Sequence, residues 1–120
     1  MISSAAVTNQ TFNRIRFERM ACGDIPGFFE LADEFFVDVK ARLSRWPALR
    51  ESGEFPLLLE EFHRCKGGAA MFGFERLFSL LGVWEVDSGI AQGELDLERF
   101  AEELGAAEMA VASFRENPDV

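Results

Sequence analysis

Apolar residues in this chain recur at steps of three and four, and no strand-length run alternates one in two. Between Asp24 and Trp46 the residues Ile25, Phe28, Phe29, Ala32, Phe35, Phe36, Val39 and Leu43 fall on one face of a helix. Such a stripe is stable in water only when other helices cover it. Asp24 supplies an N-cap and Pro26 sits in the first turn, where proline is tolerated. Lys40, Arg42 and Arg45 gather at the far end, where cations suit the helix dipole, and Trp46-Pro47 ends the helix. Residues 46–53 read as a connector.

A second helix starts near Glu54, with Pro56 in its first turn and the stripe Phe55, Leu58, Leu59, Phe62, Cys65, Ala69 and Phe72. Gly73 marks its end or a kink. Phe74, Leu77, Phe78, Leu81 and Trp84 give a third helix running to about Gln92, with Asp87-Ser88-Gly89 as a point of interruption. Leu97, Phe100, Leu104, Ala107, Val111 and Phe114 give a fourth, ended by Asn117-Pro118. Ahead of all four, Phe12 to Cys22 carries a weaker pattern ending at Gly23, read as a lid across one end; residues 1–11 read as loose. The expected fold is all-α: an antiparallel up-down-up-down four-helix bundle with a short extra N-terminal helix, one domain over 1–120.

Composition narrows the class of function. Thirteen Phe and no Tyr predict a core built on phenylalanine. A net charge of −9 excludes nucleic acid as the expected partner, because phosphate backbones demand clustered Lys and Arg. It suits a partner whose surface is locally basic. The acidic run from Glu94 to Glu108 reads as a solvated helix face. Cys22 and Cys65 are far apart in helical contexts, so a reduced, cytoplasmic setting is expected rather than a disulfide framework. No signal-like leader and no run of about 20 apolar residues is present, so no membrane role is expected. The expected state is a monomer.

The stretch Phe62-His63-Arg64-Cys65-Lys66-Gly67-Gly68-Ala69-Ala70-Met71-Phe72-Gly73 stands apart from the regular pattern. It holds the chain's only histidine, a lysine three residues later, and two adjacent glycines inside a helical run. Interior glycine costs a helix roughly 1 kcal/mol relative to alanine, so the pair needs a reason. Two offer themselves: close approach by a partner, or a helix break with Ala69 opening a new helix. By the helical period of about 100° per residue, His63 lies about 120° from the centre of the apolar stripe, outside the core. Gly67 lies one turn on, on the same face. Lys66 lies about 60° round and near the stripe, so its stem must snorkel outward to bring its ammonium to the imidazole.

His63, Lys66, Gly67 and Gly73, with the small residues Gly68, Ala69 and Ala70 between them, resemble the signature of the histidine-containing phosphotransfer (HPt) domains of bacterial and plant phosphorelays. That family carries His, then Lys three on, Gly four on and a further Gly ten on. Cys65 departs from it, where a larger aliphatic residue is usual, as does Gly68, where Ser or Ala is more frequent. The resemblance implies a phosphorelay intermediate that accepts a phosphoryl group on His63 from one receiver-domain aspartate and gives it to another. Lys66 would stabilise the phosphoryl charge, and Gly67, Gly68 and Gly73 would leave clearance for the partner. It also implies no cofactor of the chain's own, Mg²⁺ on the partner's receiver domain, and response-regulator receiver domains or a hybrid sensor kinase as partners.

The residues themselves are consistent with that chemistry. Imidazole, which titrates at about 6.5 in water, is partly neutral near pH 7 and can hold a phosphoryl group as a phosphoramidate. Arg64 is a second local cation but points elsewhere. The chain has no Walker or kinase glycine motif and no aspartate cluster suited to magnesium, so a phosphocarrier is expected rather than a self-sufficient catalyst. The rival expectation is a phosphorylation-independent helical adaptor that docks receiver or other signalling domains; it has no need of the His63–Lys66 pair. A metal-dependent bundle enzyme lacks a second histidine and inward Glu pairs. A zinc site on Cys22, His63 and Cys65 lacks a fourth ligand, and His63 and Cys65 diverge on a helix. Phe12, Ile15 and Phe74 are candidates for a docking rim, against core packing.

Overall fold

The computed structural model describes residues 9–86 and 95–118. Those residues form six helices and no strand: α1 (Arg14–Ala21), α2 (Ile25–Leu43), α3 (Trp46–Glu51), α4 (Phe55–Phe72), α5 (Glu75–Val86) and α6 (Leu97–Glu116). The expected extension of the third helix to Gln92, the Asp87-Ser88-Gly89 interruption and most of the loose N-terminal stretch lie outside the described residues. Among the described residues no helix is long and apolar enough to cross a membrane.

Local signals set the helix starts. The Asp24 side chain accepts from the Gly27 N–H at 3.0 Å, with Pro26 in the first turn of α2. Asn13 accepts from the Arg16 N–H at the head of α1, and Asp96 from the Arg99 N–H at the head of α6. Each side chain satisfies an amide that the helix itself leaves without a partner.

Packing corrects one expectation and decides two other readings. The connector 46–53 contains the short helix α3. Pro47 fits its first turn, and Trp46 is fully buried against Phe62, Trp84 and Phe100. Its indole N–H donates to Glu61 at 3.1 Å, and Glu61 also accepts from Arg42 at 2.7 Å, so one half-buried carboxylate ties α2, α3 and α4 together. Secondly, α4 runs unbroken through Gly67 and Gly68. Thirdly, the segment read as a lid contributes to the core itself. Phe17 is fully buried, with its ring 4.7 to 6.2 Å, centroid to centroid, from those of Phe28, Phe29, Phe12, Phe114 and Phe72.

The chain reverses at Gly73. This residue adopts φ +82° as the C-cap of α4, a conformation in which a side chain is strained. The Asn13 N–H donates to its carbonyl at 2.8 Å, and a Cβ at this position would lie 2.6 Å from the Asn13 carbonyl oxygen. Buried Phe72 and Phe74 flank the turn, and α5 folds back along α4.

Phe17→Ala is expected to destabilise the domain by about 3–5 kcal/mol, the cost of emptying a fully packed aromatic site. Urea unfolding of wild type and variant measures it; a loss below about 1 kcal/mol would show that α1 contributes little to the core.

Candidate functional site

His63 leaves α4 away from the core, and its side chain is 72% exposed. Cys65, two residues on, faces the interior, where burial pushes its thiol up to about 12. It is therefore a protonated, small core side chain and no nucleophile. Cys22 is exposed at the far end of α1, so the structure does not gather Cys22, His63 and Cys65 into one site.

The reversal at Gly73 brings a residue that sequence reading missed against His63. Nδ1 of His63 lies 2.7 Å from Oε2 of Glu85, near the end of α5. The Lys66 ammonium pairs with the other oxygen of the same carboxylate, Oε1. Lys66 is only 26% exposed. Its stem passes Gly82, where an added Cβ would meet Lys66 Cδ at 4.0 Å, and its ammonium lies 5.7 Å from the centre of the Phe78 ring. The lysine thus runs along the α4–α5 seam rather than waving in solvent.

The Lys66 ammonium, and after it His63, hold the Glu85 carboxyl below its usual range. An ionised carboxylate can only accept hydrogen bonds, so the proton in the His63–Glu85 bond belongs to Nδ1. In the neutral form of the ring this leaves the lone pair on Nε2, and the side chain is exposed. The arrangement is an exposed imidazole with one cation beside it and a carboxylate that fixes its tautomer.

The three glycines separate by role. Around Gly67 nothing lies within 4 Å of an added Cβ, so the helix surface one turn from His63 is bare. Gly68 is accounted for inside the molecule: an added Cβ would lie 2.5 Å from Cε1 of Phe35, whose ring packs on Phe36, Phe72 and Phe74. Gly73 is accounted for by the reversal and by Asn13. Gly68 and Gly73 therefore allow α2, α1 and α5 to close on α4.

Around this face the structure adds Arg16, whose Nε donates to the Ala70 carbonyl at 2.6 Å, and Phe78, which is 42% exposed. Phe12 and Phe74 are packed against other rings of the core, while Ile15 is exposed on α1. Arg64 is exposed. A signal for Glu85 was present in the chain: counted from a reversal at Gly73, positions 63 and 85 stand nearly level on the two arms. For Arg16 there was none, because its partner is a backbone carbonyl reached only when α1 docks. Compared with known proteins, the chain matches no family model, no curated relative and no solved structure.

Two outcomes follow from this geometry. Gly67→Ala is expected to stabilise by roughly 0.5–1 kcal/mol, through helix propensity in open space. Gly68→Ala is expected to destabilise by about 1 kcal/mol or more, because displacing Phe35 outweighs the same propensity gain; denaturant midpoints of the two variants test the difference in sign. For Glu85, a carboxyl held low in the folded state stabilises above its ordinary range, and the contribution is lost as pH falls through the folded value. The stability gap between wild type and Glu85→Gln should therefore be open at pH 7 and close on acidification. At pH 8, ring ¹⁵N shifts should show His63 protonated on Nδ1 in wild type and as mixed tautomers in Glu85→Ala.

Proposed function

We propose that this chain is a phosphocarrier of the histidine-containing phosphotransfer type. Its frame is then an antiparallel up-down-up-down bundle of α2, α4, α5 and α6, with α1 packed across one end. The observation that carries the reading is the exposed imidazole whose Nδ1 is bound to Glu85, leaving Nε2 as the nucleophile beside Lys66 and bare Gly67.

In the proposed step Nε2 attacks the phosphorus of an aspartyl phosphate on a receiver domain. The N–P bond forms as the P–O bond to the aspartate breaks, and the electron pair leaves with the carboxylate. The reverse sequence passes the group to a second aspartate. Most of the work in such a transfer is positioning and charge neutralisation. Lys66 supplies the chain's own cation once its ammonium turns from Glu85 to a phosphoryl oxygen, and Gly67 admits the partner's active-site loop. Magnesium belongs to the receiver, whose aspartates hold it. The setting this reading assigns is the cytoplasm, with the chain working as a monomer alongside response regulators or a hybrid sensor kinase.

Incubation with a panel of phosphorylated receiver domains and Mg²⁺ tests the reading. Wild type should take label as a receiver loses it, His63→Gln should take none, and Lys66→Gln should take it about 10²-fold more slowly, the size of effect seen when one charge-stabilising group is removed. Wild type that binds a receiver yet stays unlabelled would establish the phosphorylation-independent adaptor instead.

A further inference from the structure

The charges of this chain are divided between two sides. The helices α1, α4 and α5, which build the His63 side, carry six basic residues against five acidic ones. The other pair, α2 and α6, carries nine acidic residues against four basic ones, so much of the net charge of −9 sits there. Helix α2 packs on α6 and α4, and α5 packs on α4 and α6, which puts the α2–α6 pair across the molecule from the α4–α5 seam. The ion pairs Lys40–Glu108 and Arg115–Asp33 hold α2 and α6 antiparallel. Residue 40 stands level with 108 and residue 33 with 115. Val37 and Met109 therefore lie within about 3 Å of the same level along the two axes.

Both are large apolar side chains left in water: Val37 is 71% exposed and Met109 74%. Single exposed hydrophobics are ordinary on a protein surface. Here two stand at one level on adjoining helices, beside a shallow concavity lined by Val37, Ala41, Glu34 and Asp38. On α6 the strip next to Met109 is made of Ala101, Gly105 and Ala112, spaced to share one face. Gly105 lies in the interior of α6, where glycine costs roughly 1 kcal/mol relative to alanine. Among the described residues nothing lies within 4 Å of a Cβ added there. Packing within the chain does not account for that glycine, as it does for Gly68. Close approach by a helix from outside does.

We propose that the α2–α6 face docks a basic amphipathic helix of a partner protein, laid along the strip between Val37 and Gly105 while His63 stays open on the other side. The apolar side of such a helix covers Val37, Met109 and the small residues of α6. Its Lys and Arg meet Glu34 on one flank and Glu102 on the other, both exposed. Charge selects this occupant. A second copy would bring one acidic face against another, and nucleic acid or an anionic lipid surface would be repelled in the same way. Because this face lies away from the α4–α5 seam, its occupant does not depend on what His63 does.

The probe is a synthetic helix of about 18 residues, long enough to span the face, with Leu and Ala on one side and Lys and Arg flanking them. A scrambled peptide of the same composition is the control. Titrated into the ¹⁵N-labelled full chain, the helix should shift amides of residues 33–41 and 101–112 and leave those around His63 unmoved. The scrambled peptide should bind about tenfold more weakly, because it matches the charge but not the apolar strip. Gly105→Gln puts a long side chain on the strip in open space. It should lower affinity about tenfold while its urea midpoint stays at or above that of wild type. Glu34→Lys combined with Glu102→Lys should weaken binding and flatten its salt dependence. Shifts centred on α4 and α5, equal binding by the two peptides, or undiminished affinity in Gly105→Gln would overturn the proposal. So would no binding by the helix, or a dimer of the free chain in sedimentation that Gly105→Gln breaks, which would give the face to a second copy.

Discussion

The left-handed turn at Gly73 is the constraint on which the rest of this structure hangs. With φ at +82°, the backbone ends α4 and sends α5 back along it, and the Asn13 N–H bonded to the Gly73 carbonyl clamps the reversal from outside. Antiparallel helices joined by so short a turn have a fixed register, because each residue advances about 1.5 Å along either arm. His63 stands ten residues before Gly73 and Glu85 twelve after it, so they come level. Lys66 and Gly82 come level in the same way, which gives the lysine stem its place in the seam. The candidate site is thus a by-product of a hairpin register and uses no loop. Its parts sit on two helices that the core already holds rigid.

What holds those helices is aromatic packing more than charge. Trp46, Phe62, Trp84 and Phe100 fill one part of the core, while Phe17, Phe28, Phe29, Phe72 and Phe114 fill another. The ion pairs that link α2 to α6, Lys40–Glu108 and Arg115–Asp33, are half exposed, and pairs of that kind contribute roughly 0–1 kcal/mol. The Glu61 hub differs, because it is largely screened from solvent and joins the Arg42 guanidinium to the Trp46 indole. It is the feature that turns an expected connector into a helix packed on the core.

Glycine shows how far a one-dimensional reading reaches. The sequence offers partner approach or a helix break for Gly67 and Gly68, and a helix end or kink for Gly73, without deciding among them. In three dimensions they serve separate ends. Gly73 adopts a conformation that side chains resist, Gly68 admits the Phe35 ring, and Gly67 meets nothing. Packing within the chain accounts for two of the three, and leaves open space at the third.

The long helices α2, α4 and α6 and the start of α5 were legible from residue order, because the three-four spacing of Phe, Leu and Val, the Asp24 cap and the prolines Pro26 and Pro56 at helix starts are all local properties; α3 was not, because Pro47 served equally as a stop and a start. So was the outward direction of His63, which follows from its angle to the apolar stripe of its own helix. The true weight of α1 was not legible: its pattern is weak, and Phe17 earns its place only where five other rings surround it. Nor was the use of Lys66, whose ammonium is directed by a carboxylate nineteen residues away on α5. Local periodicity determines which side of a helix a residue occupies. Only the docking of one helix on another decides which groups meet there, because that contact depends on a turn and a register that no single stretch of sequence contains.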